Sequence, residues 1–406
     1  MGHGHGHSHR AGDEDDFEVA RTPRLVLLTA LALIGVLTLA GLALLWPDGD
    51  AADDLQGSVG FAAEGVTFPE AVVRDVEPVC ATGADPATQS CGRIRALVDE
   101  GASAGTQVLV AVPPQISDSG LEPGDRIELV RQPQEGEGQF GYFGTERSGP
   151  LWILTIVFVV VVLGIARLRG LMALLGLGFA SVVVLGFAVP ALLTGEAGIP
   201  VALVAATAIM YVVLYTTHGF SIRTSTALAG TLAGLAITAL VGWWAVRSTH
   251  LSGIADEGGG FLTTFASDIN FQGLLIAAVI IAGLGVLNDV TITQSSAVWE
   301  LRAASPSMSR TEIFTSAMRI GRDHIASTIY TIVFAYAGTA LTLLLVLQLY
   351  DRPMADLIGT EEIAEEIVRS LTSSIGLVLA VPITTFIAAL TVPGARGASV
   401  RPAPRT

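Results

Sequence analysis

The chain contains no lysine in 406 residues; its positive charge is 22 arginines, set against 37 Asp and Glu for a net charge of −15. Orientation arguments therefore rest on arginine alone. That acidity, with no basic patch carrying interleaved aromatics, argues against nucleic acid as a partner. Cysteine is almost absent: Cys80 and Cys91 are the two. No third cysteine or histidine lies near them to complete a metal site. There is no H-E-x-x-H pair and no glycine loop shaped for phosphate, and Ser295 and Ser296 near Asp289 have no positioned histidine or lysine. The chain is not read as an enzyme, and no cofactor is required.

Charged residues make up only 15% of the sequence and hydrophobic residues 51%. The mean hydropathy is +0.61. Such a composition belongs to α-helical polytopic membrane proteins. Apolar windows long enough to span a bilayer run over residues 25–46, 150–167, 171–193, 199–216, 225–246, 272–297, 325–349 and 371–392, about eight transmembrane helices. The first window is too long for a removable signal. Arg10, Arg21 and Arg24 precede it, and Arg167, Arg169, Arg223, Arg302, Arg310, Arg319 and Arg322 fall in alternate loops. The positive-inside rule then puts both termini in the cytoplasm. The resulting layout is a cytoplasmic tail over 1–24, a first span over 25–46 and an extracytoplasmic domain over 47–149. A membrane domain over 150–393 and an unstructured tail over 394–406 follow.

Within the outer stretch, β-prone runs at Gly57–Phe61, Glu70–Val76, Arg93–Val98, Gln107–Val112 and Arg126–Arg131 alternate with turn residues. This predicts a small β-rich domain, OB-like or a barrel, with a helix at Ile94–Glu100 as the alternative. Cys80 and Cys91 both lie there. In an oxidising compartment they read as a disulfide; free thiols are the alternative. Met308–Arg322 is amphipathic and is predicted to lie along the membrane interface. Thr360–Ser370 reads as a similar short helix on the opposite side. Gly230, Gly234, Gly283 and Gly285 read as helix-packing contacts.

The most informative residue is Asp289, an acid inside an apolar window. An ionised carboxylate at the bilayer centre costs roughly 2.5–3.5 kcal/mol on insertion scales, so it pairs, protonates or lines a water path. Gly285, Asp289, Thr293, Ser296 and Glu300 share one helical stripe, which is expected to face another helix or a wet cavity. The following span offers Asp323, Ser327, Thr331, Ala335 and Gly338 as its complement. Asn288 is a neighbouring donor. Ion or proton coupling is therefore assigned to Asp289, Asn288, Thr293, Ser327 and Thr331, with Asp323 and His324 as a relay; a structurally satisfied acid is the alternative. His3, His5, His7 and His9 alternate with small residues in the N-terminal tail and could hold a divalent metal weakly.

The run Gly285-Val-Leu-Asn-Asp-Val-Thr-Ile-Thr-Gln-Ser-Ser-Ala-Val-Trp-Glu300 resembles the central signature of the YibE/F-like family of bacterial membrane proteins. The resemblance implies a multi-pass plasma-membrane protein and extends over nearly the whole chain. More distantly, Asn288-Asp289 followed by Glu300-Leu-Arg302 is similar to SecD/SecF and RND-type transporter halves. That likeness implies proton coupling at Asp289, and a homodimer or a second YibE/F-like subunit as partner. A transporter or ion-coupled machine is thus the expected function. The rival is an accessory scaffold whose outer domain binds a secreted or envelope protein.

Overall fold

The computed structural model describes residues 21–50, 60–78, 91–133, 139–255, 257–266, 268–349 and 353–395. The chain divides into two compact units, Gly57–Ile165 and Met1–Gln56 with Ala166–Thr406.

The first unit is built on one antiparallel sheet. Its strands are β1 (Glu70–Val76), β2 (Arg93–Val98), β3 (Gln107–Ala111), β4 (Arg126–Arg131) and β5 (Phe140–Thr145), with a one-turn helix α2 (Pro114–Ser117) after β3. The order is β3-β2-β1-β4-β5. Period-two alternation sends Ala71, Val73, Ile94, Ala96, Ile127 and Leu129 into a common core, each at most 1% exposed. A bulge between Val73 and Asp75 ends that alternation and bends the central strand. The other face carries Arg93–Glu77 at 2.8 Å and Arg126–Glu70 at 2.9 Å. The sheet is an open half-barrel: no ladder joins β3 to β5 among the described residues, so the expected barrel is not closed. Residues 94–98 are strand and not helix. Gly60 and Phe61 form no strand; the rest of that expected run lies outside the described residues. Strand β5 was hidden by Gly141 and Gly144, which read as turn residues. Gly141 is required by packing, since a Cβ there would come within 2.9 Å of Val130.

The second unit is helical. Besides α1 (Arg21–Leu44), its principal helices are α5 (Gly198–His218), α6 (Ile222–Ser248), α8 (Phe271–Ala304), α9 (Arg310–Thr339), α10 (Leu341–Leu349) and α12 (Glu361–Thr391). Between them lie α7 (Glu257–Phe265) and α11 (Met354–Leu357). A long α3 (Ser148–Val183) enters from the first unit and continues through a π-turn at Val184–Ala188 into α4 (Val189–Leu193). Among the described residues six helices are long and apolar enough to cross a membrane, or seven if α9 and α10, bent by 60°, form one span. The expected count was eight. The difference lies in Ser148–Leu193, a single 46-residue candidate. Forty-six residues are more than the ~20 that one span needs, and the segment is two helices meeting at a kink, with the expected windows 150–167 and 171–193 on either side of it. Its backbone breaks at Arg167 (φ 51°, ψ −126°), so the expected loop between the second and third spans is a kink. Three residues between two apolar windows are too few for a free loop.

Two further expectations are corrected. Met308–Arg322 is not a separate interfacial helix, because Arg310 onward is the start of α9. Ile313 and Ala317 are fully buried in a cluster with Val298, Ala388 and Val392, which replaces the lipid contact that amphipathicity suggested. Thr360–Ser370 likewise belongs to α12, with Ile363 and Glu365 turned inward.

The helical core is the trio α6, α8 and α12, which make the most extensive mutual contacts. Small residues allow this. A Cβ on Gly234 would lie 2.7 Å from Leu287 and 3.1 Å from Ala380. Gly376 abuts Thr238. Pro382 lies inside α12, where the Thr384 and Thr385 hydroxyls donate to the carbonyls of Ala380 and Val381, each at 2.7 Å.

Candidate functional site

Helix α8 is polar on two sides. Its N-cap is Asn270, whose side chain accepts from the Gly273 amide at 2.8 Å. Asp289 lies near the middle of the helix and its side chain is 70% exposed. Across from it, on α9, stands His324, with Nε2 3.8 Å from Asp289 Oδ2. That separation exceeds a hydrogen bond, and His324 Nε2 is buried without any hydrogen-bond partner. The two groups thus face each other at ion-pair range with a histidine nitrogen uncommitted.

The other expected residues divide around this pair. Thr293 Oγ1 donates to the Asp289 carbonyl at 2.7 Å, and Thr331 Oγ1 to the Ser327 carbonyl at 3.3 Å. Both hydroxyls are used within their own helices. Asn288 Oδ1 is buried without a donor. Asp323 is exposed beside His324. Gly285, Asp289, Thr293 and Glu300 are all exposed, and nothing lies within 4 Å of a Cβ built on Gly285. Gly285 is thus not a packing contact, and neighbouring helices do not cover the stripe among the described residues. Cys91 is buried; Cys80 and His3, His5, His7 and His9 lie outside the described residues. Among the described residues no three His, Cys, Asp or Glu side chains converge as metal ligands.

Sequence reasoning missed the opposite face of α8. Gln294 is 2% exposed and its Nε2 donates to the Ala317 carbonyl at 2.9 Å and to Thr385 Oγ1 at 2.7 Å, tying together α8, α9 and α12. Thr291 and Thr231 share a hydroxyl hydrogen bond of 2.6 Å, and Ser295 donates to the Arg223 carbonyl at 2.8 Å. Arg302 is 2% exposed and donates to the carbonyls of Pro306 and Met308. The signal was present: 291, 295, 298 and 302 recur at helical spacing, forming a second stripe behind the one that carries Asp289.

Residues 154–394, more than half of the chain and including both α8 stripes, match the family model for YibE/F-like proteins. The chain belongs to the YibE/F-like family. The matched segment holds most of the helical unit, and leaves α1 and the five-stranded sheet outside it. Neither a curated protein nor a solved structure matches the chain. For this YibE/F-like protein the family therefore stands on its helices, and the five-stranded sheet has to be read from its own residues.

Proposed function

We propose that this YibE/F-like protein is a plasma-membrane transporter or ion-coupled machine in which proton binding at Asp289 drives a movement of α8 against α9. The observation that carries the reading is the 3.8 Å approach of His324 Nε2 to Asp289 Oδ2. Both helices are apolar enough for a span or part of one. An ionised Asp289 attracts a protonated His324, and in low dielectric that attraction is strong. A proton on the carboxylate cancels it and lowers the cost of exposing the acid to hydrocarbon. Loading and release of one proton would thus alternate two arrangements of the helix pair, with the preceding residue, Asp323, passing protons to His324. Asn288, Thr293, Ser327 and Thr331 supply the polar track along it. The likeness of Asn288-Asp289 to SecF-type halves supports the same role.

The exposed stripe on α8 supports a second subunit, either another copy or a second YibE/F-like chain, since lipid is a poor solvent for Asp289 and Thr293. The alternating arginines support cytoplasmic termini and an outward sheet, whose five strands and short helix after β3 read as OB-like. The histidine tail takes a divalent ion weakly. No chemical conversion of substrate is assigned.

The test is reconstitution in liposomes with an imposed proton gradient and a pH-sensitive dye inside. Asp289→Asn, nearly isosteric but unable to titrate, should abolish proton movement without lowering the melting temperature. His324→Gln should slow it. Proton movement equal to wild type in Asp289→Asn would sink the reading.

A specific observation favours the accessory-scaffold alternative. Phe61, Phe68 and Phe143 form a ring cluster on the outer unit, with centroids 4.8–5.7 Å apart, and Phe61 is 78% exposed. Exposed aromatic clusters suit protein docking. Under this reading Phe61→Ser abolishes capture of an envelope protein while Asp289→Asn has no effect in the host.

A further inference from the structure

A cavity of about 440 Å³ lies between α8, α9 and α12, within the size range of small-molecule sites, ~300–1,000 Å³. Most of its wall is apolar, from Val286 and Leu287 of α8, Ile332 of α9 and Leu377 of α12. One end differs. There Glu366, Arg369 and Ser373 line the cavity from the first half of α12. With Leu377 they recur every three or four residues, so one face of the helix passes from charged to apolar. Arg369 Nη1 lies 3.1 Å from Glu366 Oε1, so the acid and the base in the wall are already paired. Glu365, 3.7 Å from Arg369 Nη2, does not line the cavity. Three atoms at this end remain uncommitted: Glu366 Oε2, Arg369 Nε and Ser373 Oγ are buried with no hydrogen-bond partner. Ser373 as a whole is 5% exposed. A carboxylate oxygen accepts, a guanidinium nitrogen donates and a hydroxyl does either. Buried polar groups left in this state are costly.

We propose that this cavity binds an uncharged amphiphile with a hydroxyl head, the head at Glu366 and Arg369 and the apolar chain running toward Leu377 and Leu287. The hydroxyl donates to Glu366 Oε2 and accepts from Arg369 Nε, with Ser373 completing the set. A head that only accepts leaves the carboxylate oxygen bare, and one that only donates leaves the guanidinium nitrogen bare. A charged head would bring an unpaired charge into an apolar space whose own lining charges already pair. Glu366 and Leu377 are eleven residues apart, or about 16 Å of helix, so the polar and apolar ends are well separated. The remaining volume holds roughly a dozen methylenes, taking each as about the ~30 Å³ of a water. The site does not depend on proton coupling: it shares only Thr331 with the residues assigned to that role. A free long-chain alcohol and a monoacylglycerol carry the same hydroxyl.

The test uses the full chain in phosphatidylcholine nanodiscs, with labelling normalised to membrane-bound probe. Four photoreactive dodecyl probes differ only in their head: hydroxyl, methyl ether, amine or carboxylate. The hydroxyl probe should label at least ~10-fold more than each of the others, the expected effect of one hydrogen bond to a charged group. Its adducts should map to residues 282–287, 331–339 and 366–377. Glu366→Gln should lower hydroxyl labelling about 5-fold and leave the ether probe within ~2-fold. Gly283→Val, whose Cβ meets only Leu287 at 3.9 Å, narrows the cavity and should reduce labelling by the hydroxyl probe. Competition by dodecanol alone identifies a free alcohol; equal competition by monolauroylglycerol identifies a lipid. An amine or carboxylate probe that labels as well as the hydroxyl, equal labelling by the ether, adducts confined to other helices, or no competition by either compound would overturn the proposal. The comparison of heads on the unmutated chain decides the question even if a variant fails to fold.

Discussion

Gly230 of α6 is pressed against Thr384 of α12 so closely that a Cβ at position 230 would overlap the threonine hydroxyl. Thr384 is fully buried and its hydroxyl is committed to the Ala380 carbonyl. Neither partner can withdraw without breaking that bond or moving a helix. The α6–α12 seam is therefore fixed by the absence of one methyl group.

Gly230→Ala should destabilise the protein by about 1–3 kcal/mol, the usual cost of overpacking a close-packed core. Thr384→Ala in the same chain should recover part of that loss, because it removes the Oγ1 and Cγ2 atoms the new methyl meets and leaves only the Cβ at 2.9 Å. Thermal unfolding of the two single variants and the double variant in detergent measures the coupling. A double variant no more stable than Gly230→Ala would show that the seam is not the point of conflict.

Gln294→Leu should cost about 1–3 kcal/mol, since it removes the buried hydrogen bonds to the Ala317 carbonyl and to Thr385 Oγ1. Thr293→Val, one residue away but exposed and bonded only within its own helix, should stay within ~0.5 kcal/mol. The same melting assay compares them. Equal losses would mean that the two faces of α8 do not differ in burial.

Cys80 and Cys91 should be oxidised together. Thiol labelling with and without reductant should differ by both thiols, and replacing the pair by serine should lower stability by about 2–3 kcal/mol. Labelling of either cysteine in unreduced protein would remove the bridge.

Alkaline phosphatase fused after Gly101, Asp256 or Asp356 should be active, and fused after Arg169, Arg223 or Arg310 inactive. The alternating arginines set this pattern. Activity at Arg310 would reverse α8, and the SecF comparison would go with it.

Much of this fold was legible in the sequence where one kind of periodicity ruled. Ile127 and Leu129 alternate and are buried side by side; the apolar windows around 199–216, 225–246 and 272–297 became α5, α6 and α8. Legibility failed where two demands met on one residue. Gly141 and Gly144 look like turn formers, yet Gly141 sits in β5 because Val130 needs its space. The turn at Met308–Arg322 looks amphipathic for a membrane surface, yet its apolar side packs on α8 and α12. At the candidate site, Asp289 was legible because an acid in an apolar run is conspicuous, and His324 because it follows at the entry to the next span. Gln294 was not, since an uncharged amide among Thr and Ser draws no attention until Thr385 is found opposite it. Glu366 and Arg369 read as loop charge before the last span, and only the continuation of α12 through them set them along the cavity between α8, α9 and α12.

The partners of Gln294 also carry a timetable. Ala317 and Thr385 lie 23 and 91 residues further along the chain, and Thr385 is in the last helix described. A chain emerging N-terminus first at ~5–20 residues per second holds Gln294 in place for several seconds before Thr385 exists. During that interval α8 is a helix with an acid on one side and an unsatisfied amide on the other. Arrival of α12 closes the amide side and leaves the acid side open. The newborn protein is thus completed from one flank only, and the helix that completes it is also the one that brings Glu366 and Arg369.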